Sequence, residues 1–455
     1  MAEFEGCRRV HMVGVGGIGM SGLAKLLAQA GYEVSGSDLK PSRLLTSLEG
    51  LGVAVWVGHR PERAPGWDLV VASSAVPERD PELAAARAAG VEVWRRPTLL
   101  ERLTRHTPAL GVTGTHGKTT GTAMLVAALR ALGRDPSFMV GGQLVDLNTN
   151  AHLGEQGLFV LETDEAFGTF TDVHLAGLVV TNIEADHLDH YGTGEAVAEA
   201  FTRVAARVRG PVVACLDDPG ARRMAERVPG VVGYGLDPSA PWRVEEVACW
   251  PASVAFTLAH EGDRVPVAVP RPGLHVARNA AGVLALVGEL GLDVAGAAAG
   301  LSSFGGVRRR FEVRARIGGV TVVDDYAHHP TEVAATIAAA RVGEPRRLVA
   351  VFQPHRFSRT AEQAGRFGMA LAAADRVVVT DVYAAGEAPV PGISGKLVAD
   401  AAVAGGASVE YVPRRGDLAR AIAAQARAGD LVLLMGAGDI TLVAEELAGL
   451  LGPRR

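Results

Sequence analysis

Gly111-Val-Thr-Gly114-Thr115-His116-Gly117-Lys118-Thr119-Thr120-Gly121 is the stretch in which residue type and spacing come closest to dictating a chemistry. It follows the apolar Pro108-Ala-Leu, which reads as a short strand. It opens an apolar run from Thr122 to Gly133 that reads as a helix closed by glycine. Small residues in such a turn leave backbone N–H groups pointing at an anion, and the positive end of the helix dipole favours the same charge. Lys118 would reach the β and γ phosphates of a nucleotide, and the Thr119 hydroxyl could hold Mg²⁺. The longer form of this motif has glycine where this chain has Val112, so the match is to the shorter Gly-Thr-x-Gly-Lys-Thr form. Among 45 Lys+Arg only Lys25, Lys40, Lys118 and Lys396 are lysine, so a compact ammonium at 118 stands out from an arginine background.

Acids follow at the ends of two buried strands. Leu158-Phe-Val-Leu161 delivers Glu162-Thr-Asp164-Glu165, and Leu178-Val-Val-Thr-Asn182 delivers Glu184, Asp186, His187, Asp189 and His190. Carboxylate oxygen suits a hard ion that bridges phosphates. Histidine is an unusual ligand for Mg²⁺, so on its own His187 reads equally as a metal ligand or as a histidine that starts a helix or satisfies the core.

A second glycine turn lies near the N-terminus. Arg9-Val-His-Met-Val reads as a strand feeding Gly14-Val-Gly16-Gly17-Ile18-Gly19, with a helix from Met20 to Ala30 and a strand, Tyr32 to Asp38, that ends in an acid. This is the layout of a dinucleotide site, yet the turn itself reports only a pyrophosphate and Asp38 only a ribose-like diol, so a nucleotide diphosphate sugar fits as well. Ser73-Ser74 follow another strand, at the carboxyl end where open α/β sheets bind ligands.

These turns need three sheets to hold them. At 455 residues and 48% hydrophobic content the chain is long enough for about three packed domains. The first alternation loosens toward Pro108, a glycine-rich exit lies at Phe304 to Glu312, and a third alternation begins at Val320. The expected domains are therefore 1–107, 108–313 and 314–455, the first with a five-stranded open sheet and the third with a second open parallel sheet. Net charge −5 gives no nucleic-acid footprint. Cys7, Cys215 and Cys249 make neither a disulfide frame nor a thiolate metal site. No charge-free apolar run approaches a membrane span, so a soluble, cytoplasmic protein is expected.

Taken in series, Gly14 to Met20, Gly114 to Thr120, Thr181-Asn-Ile-Glu-Ala-Asp-His187, Asp324-Asp-Tyr-Ala-His-His-Pro330 and Phe352-Gln-Pro-His-Arg-Phe-Ser-Arg359 resemble the Mur ligases across the whole chain, most nearly the branch that adds L-alanine to UDP-N-acetylmuramate. The resemblance implies an α/β protein with a Rossmann-like UDP-binding domain, a central P-loop ATPase-like domain and a C-terminal Rossmann-like domain that binds the amino acid and closes over ATP. It implies ATP and Mg²⁺, an acyl-phosphate intermediate in peptidoglycan precursor synthesis, and a monomer or weak homodimer.

By that resemblance Lys118 clamps the phosphates within the ATP cradle Gly114 to Thr120, while Thr119, Glu162 and His187 hold metal. Asn279, Arg310 and Asp325 belong to the ATP site. Gly16, Gly17, Ile18, Gly19, Asp38, Ser73 and Ser74 serve the UDP-sugar. Tyr326, His328, Arg356 and Arg359 receive the amino acid, His328 also being catalytic.

Two motifs depart from the family pattern. Asp164-Glu165-Ala166-Phe167 replaces Asp-Glu-Ser-Asp, and His275-Val276-Ala-Arg-Asn279 replaces His-Asn-x-x-Asn. No lysine lies between 119 and 395, so the carbamylated lysine of other branches is excluded. The rivals are the sister ligase that attaches a recycled tripeptide, an NAD-dependent dehydrogenase, which would leave Lys118 idle, and a P-loop kinase or switch, which would leave two domains unused.

Overall fold

The computed structural model describes residue 4 and residues 6–452. The chain forms two compact units, one of Met1–Glu246, Phe256–Val267 and Arg278–Gly305, the other of Val247–Ala255, Ala268–Ala277 and Gly306–Arg455. Three sheets run through the chain, of five, ten and six strands.

In the first sheet all neighbours are parallel, in the spatial order Ala54–Val57, Glu33–Asp38, Arg9–Val13, Leu69–Ala72, Glu92–Arg95. The five-stranded expectation holds. Helix Ile18–Gln29 starts inside the glycine turn, two residues earlier than the sequence suggested, because Gly17 adopts extended backbone and acts as its cap. Helix Arg96–Arg105 occupies the stretch that read as loosening. Its Leu99, Leu100 and Leu103 are buried at helical spacing while Arg102 and Arg105 stay outside.

The ten-stranded sheet holds the phosphate turn near its middle. Ala109–Thr113 lies between Phe159–Glu162 and Gly177–Val180, parallel to both, so the carboxyl ends of three adjacent strands open onto one edge. Beyond Phe159–Glu162 come Ser137–Leu144 and its antiparallel partner Thr149–His152, a hairpin not foreseen from the sequence. Packing is continuous across residue 107. One core runs from Val10, Leu23 and Leu27 through Met139, Ala151 and Phe159 to Phe201 and Met224, and each of its Val, Leu, Met and Phe side chains contributes about 1.5–3 kcal/mol on burial. Buried Lys25 explains one of the scarce lysines. Its Nζ donates to Asn150 Oδ1 (2.8 Å), and Asn150 Nδ2 donates to the Ile18 carbonyl (2.9 Å), which pins the glycine-turn helix to the hairpin.

The six-stranded sheet runs Glu312–Ile317, Val320–Asp325, Asp430–Met435, Arg347–Phe352, Arg376–Val379, Val409–Tyr411. The last five are parallel, as expected. The first is an antiparallel edge strand that straddles the expected 313/314 division. Pro330–Arg341 and Phe357–Leu371 are the helices that follow the Tyr326 and Arg356 segments. Among the described residues no helix is long and apolar enough to cross a membrane.

Candidate active site

Why glycine is required in the phosphate turn follows from what a side chain would strike. Gly114 has φ +131°, and a Cβ there would lie 2.1 Å from Thr181 Oγ1; Gly117 has φ +83° and would place a Cβ 2.7 Å from Asn279 Oδ1. Asn279 is thus brought against the turn. The turn is further tied by His116 N donating to Asn182 Oδ1 (2.8 Å) and Thr181 Oγ1 donating to the His116 carbonyl (2.6 Å). We predict that Gly114→Ala costs at least about 2 kcal/mol of stability through backbone strain and the Thr181 clash. Chemical denaturation of the variant checks this.

Lys118 opens helix Lys118–Ala131, and its Nζ donates to the carbonyls of Gly114 (2.7 Å) and Thr115 (3.2 Å). Two carboxylates share this ammonium. Glu165 oxygens lie 2.8 and 2.9 Å away and Asp164 Oδ1 3.8 Å. Burial pushes the Lys118 pKa down, but Glu165 and then Asp164 outweigh it and hold the ammonium charged, above the ordinary lysine value. Burial pushes Glu165 up to about 7 against the pull of Lys118. Burial also raises Asp164, yet Lys118 and Arg96 hold it below the usual carboxylate range. The pair thus splits, the deeper acid titrating near neutrality. Because the folded pKa of Glu165 is raised, its contribution to stability is fully present below the ordinary glutamate pKa of 4.5 and is lost as pH rises through about 7. Glu165→Gln is therefore expected to flatten the fall in stability between these limits, read from denaturation midpoints at a series of pH values.

Thr119 Oγ1 donates to Glu162 Oε1 (3.1 Å), and Glu162 Oε2 accepts from Gly141 N (2.7 Å). A Cβ on Gly141 would lie 2.4 Å from that oxygen, so glycine lets the hairpin approach the carboxylate. His187 sits in left-handed backbone at φ +55°. It offers a ring nitrogen in a group with Asp164 and Glu165 whose ligand atoms all lie within 4.8 Å of one another. Hydroxyl and carboxylate oxygen at Thr119 and Glu162 are donors that suit Mg²⁺, whereas His187 is grouped with Asp164 and Glu165 rather than with these two. Ala166, one of the departures from the family pattern, donates its N–H to Asp164 Oδ1 (3.3 Å). The Phe167 side chain lies outside the described residues. Val276 is buried, and Arg278, from the other altered motif, pairs with Asp217 at 2.8 Å.

At the N-terminal glycine turn, Gly14 N and Val15 N both donate to the Ser37 carbonyl (2.8 and 3.0 Å), and Gly16 N donates to Asp38 Oδ2 (2.9 Å). A Cβ on Gly16 would lie 2.7 Å from that oxygen, and one on Gly14 would meet Ser73 Cβ at 3.1 Å. Gly16, Asp38 and Ser73 are thus brought together, with Ile18 beginning the helix and Ser74 in the turn after Ser73. Sequence reasoning missed Arg96. Its guanidinium would lie 3.0 Å from a Cβ on Gly19, and its charge is felt by Asp164, so a cation stands between the two glycine turns. The signal was available, since Arg95-Arg96-Pro97 stands at a strand end beside Ser73.

In the second unit, Asp325 is buried, its oxygens accepting from Phe311 N (2.7 Å) and Ala327 N (2.8 Å). Burial raises its pKa. These bonds shape the arginine loop, in which Arg309 and Phe311 hold φ of +60° and +48° and the Arg309 and Arg310 guanidiniums lie 5.0 and 5.1 Å from the Tyr326 ring centre. His328 Nδ1 lies 3.0 Å from the Tyr326 carbonyl. A carbonyl can only accept, so Nδ1 carries the proton and Nε2 the lone pair. The His328 ring stands 5.8 Å from that of His355, which sequence reasoning left out of the pocket. Burial, then His328, Arg359 and Arg356, drive the His355 pKa down to about 3, so this ring stays neutral. Arg356 caps helix Phe357–Leu371 at φ +71°, a costly conformation for a side chain, and faces Glu387 at 3.7 Å. Arg359 lies in the first turn of the same helix, buried.

Residues 9–107 match the model described as Mur ligase family, catalytic domain; residues 112–287 match the Mur ligase middle domain, and residues 309–438 the Mur ligase, glutamate ligase domain. The chain is 46% identical over 462 residues to the UDP-N-acetylmuramate--L-alanine ligase of Mycolicibacterium vanbaalenii, covering 97% of this chain and 95% of that protein. It is 42% identical to the enzyme of the same name from Thermobifida fusca, covering 99% and 98%. The crystal structure of the UDP-N-acetylmuramate-alanine ligase from Thermotoga maritima matches with a TM-score of 0.84 at 31% identity, over 97% of this chain and 98% of that one. A murein peptide ligase from Psychrobacter arcticus matches with a TM-score of 0.73 at 25% identity, over 98% and 99%.

Proposed function

We propose, for a chain that belongs to the Mur ligase family, that it joins L-alanine to the lactyl carboxylate of UDP-N-acetylmuramate at the expense of ATP, in peptidoglycan precursor synthesis. The observation that carries the reading is the glycine turn Gly114 to Gly117 with Lys118 behind it and Glu162 on the Thr119 hydroxyl, a cradle for a nucleoside triphosphate and a hard cation. The greater likeness to the alanine ligase of Thermotoga maritima than to the murein peptide ligase favours alanine over tripeptide.

A carboxylate is unreactive toward amines because oxide is a poor leaving group. A lactyl carboxylate oxygen attacks the γ-phosphorus, the bond to the β,γ-bridging oxygen breaks, and ADP leaves. The amine nitrogen of alanine then attacks the acyl carbon, and the carbon–oxygen bond to phosphate breaks as the amide forms. Lys118 neutralises charge on the transferring phosphoryl group, for which the phosphates compete with Glu165. Mg²⁺ held by Thr119, Glu162 and His187 would supply further charge neutralisation across the phosphates. His116, Thr115 and Thr120 complete the cradle, with Asn279 against it and Arg310 and Asp325 as the ATP contacts of the C-terminal unit, Asp325 acting by shaping the arginine loop.

Gly16, Gly17, Ile18, Gly19, Asp38, Ser73 and Ser74 receive the UDP moiety. Arg356 and Arg359 hold the alanine carboxylate, Tyr326 walls the pocket, and His328 Nε2 takes the ammonium proton that must leave before attack. We predict that His328→Gln lowers kcat about 10²-fold, read from steady-state kinetics with all three substrates saturating. A cytoplasmic location is part of this reading, as is closure of the C-terminal unit over ATP, for which small-angle scattering profiles with and without ATP analogue and sugar nucleotide should differ. The acyl phosphate itself is tested with substrate labelled with ¹⁸O in the lactyl carboxylate. One labelled oxygen should appear in the released phosphate, and unlabelled phosphate would overturn the mechanism.

A further inference from the structure

One buried cluster has no task in the ligation. His11, in the middle of strand Arg9–Val13, is 0% exposed, and its ring stacks on Trp67 (3.9 Å between centres, 8° between planes) and on Trp56 (5.0 Å, 7°). Its Nδ1 pairs with Ser35 Oγ at 2.9 Å, while its Nε2 has no hydrogen-bond partner and points at Glu82 Oε2, 3.6 Å away. Glu82 is fully buried in the first turn of helix Pro81–Ala88. It accepts from Arg60 N (2.8 Å), Trp56 Nε1 (3.2 Å) and Ser37 Oγ. Asp80 caps the helix with Oδ1, which accepts from Glu82 N (2.9 Å), and turns Oδ2 to His59 Nδ1 at 3.6 Å; the same nitrogen is 3.8 Å from Glu82 Oε2.

We propose that His59 Nδ1, Asp80 Oδ2 and Glu82 Oε2 form a binding site for a transition-metal dication of the zinc class, separate from the ATP-linked magnesium. The three atoms lie within 4.8 Å of one another, so a point about 2.1–2.4 Å from all of them exists, close to the roughly 2.0–2.2 Å of zinc–nitrogen and zinc–oxygen bonds. Two carboxylates cancel the charge of a dication. An imidazole nitrogen beside them selects the borderline ions over Mg²⁺, and three protein ligands leave a position for water.

The surroundings have the form of an outer ligand shell. Glu82 Oε2 faces His11 Nε2 and accepts from Ser37 Oγ, while Trp56 Nε1 and Arg60 N hold Oε1; a carboxylate oxygen only accepts, so an N–H on His11 Nε2 facing it leaves Nδ1 to take the Ser35 hydroxyl proton. Ser37 also carries the carbonyl that accepts from Gly14 N and Val15 N, and its neighbour Asp38 holds Gly16 N. Metal on Glu82 would thus stiffen the strand end that supports the glycine turn. The site's existence does not depend on which substrate that turn receives.

The test uses full-length protein stripped with a chelator and titrated with Zn²⁺ alone, with bound equivalents measured by calorimetry and elemental analysis, and with Co²⁺ as a spectroscopic probe. His59 is partly exposed, so His59→Ala should fold, and its thermal midpoint without metal should match the parent. The wild type should bind one equivalent more than His59→Ala, show a Co²⁺ visible band that this variant lacks, and gain thermal stability with Zn²⁺ that it does not. His187→Ala should keep that equivalent and that band. Equal stoichiometry in wild type and His59→Ala, an equivalent lost with His187 instead, or no tightly bound equivalent at all would overturn the site.

Discussion

Lys118→Ala is expected to lower kcat for ligation by about 10³-fold or more while leaving the dissociation constant for UDP-N-acetylmuramate nearly unchanged. The ammonium lies within bonding distance of the Gly114 and Thr115 carbonyls, and it is held there by two acids that a phosphate would have to outcompete. The N-terminal glycine turn is built separately, from Gly14 to Gly19 with Asp38 and Ser73. Loss of the lysine also leaves Glu165 buried with no ammonium beside it, so the variant should bind ATP poorly and bind protons at Glu165 more tightly. Equilibrium binding of sugar nucleotide, alongside turnover, checks the division. A collapse of sugar-nucleotide binding in a folded Lys118→Ala would refute it.

Arg359→Met should raise KM for L-alanine by about 10²-fold or more with little change in KM for ATP or for the sugar nucleotide. The side chain is buried in the first turn of helix Phe357–Leu371, where a substrate carboxylate would pair with it in a partly dry setting, and methionine keeps most of its volume. Arg359→Lys should recover only part of the loss, because a point charge lacks the planar fork. Steady-state kinetics with each substrate varied in turn separates this from a folding defect, which would lower kcat for all three together.

The sequence made the two glycine turns and the parallel strands that feed them legible because each had a local cause. Gly114 and Gly117 are demanded by φ and by close neighbours, and buried parallel strands such as Leu178-Val-Val read as continuous apolar runs. What escaped reading depended on distant partners. Strand Ser137–Leu144 was obscured by Gly141-Gly142, and Gly141 finds its reason in the Glu162 carboxylate arriving from another strand. Edge strand Glu312–Ile317, with Arg314 and Arg316 half-buried at best, lacks the burial that marks an inner strand. Helix Arg96–Arg105 has a low overall hydrophobicity that its buried leucines overcome only through tertiary packing. In the site, Lys118 was visible from spacing alone. Glu165 as its partner, Arg96 beside Gly19 and His355 against His328 are juxtapositions made by the fold. The Lys25 ammonium, conspicuous by composition, proved to be a buried tie to Asn150.

The central claim, ligation of alanine to the sugar nucleotide, is tested most directly by phosphate release from ATP and Mg²⁺ with UDP-N-acetylmuramate, comparing L-alanine with the tripeptide L-Ala-γ-D-Glu-diaminopimelate as the amino donor. Release is expected with alanine and not with the tripeptide. Release with the tripeptide alone would contradict the account by moving the chain to the recycling branch, and release with neither would contradict the sugar-nucleotide assignment itself.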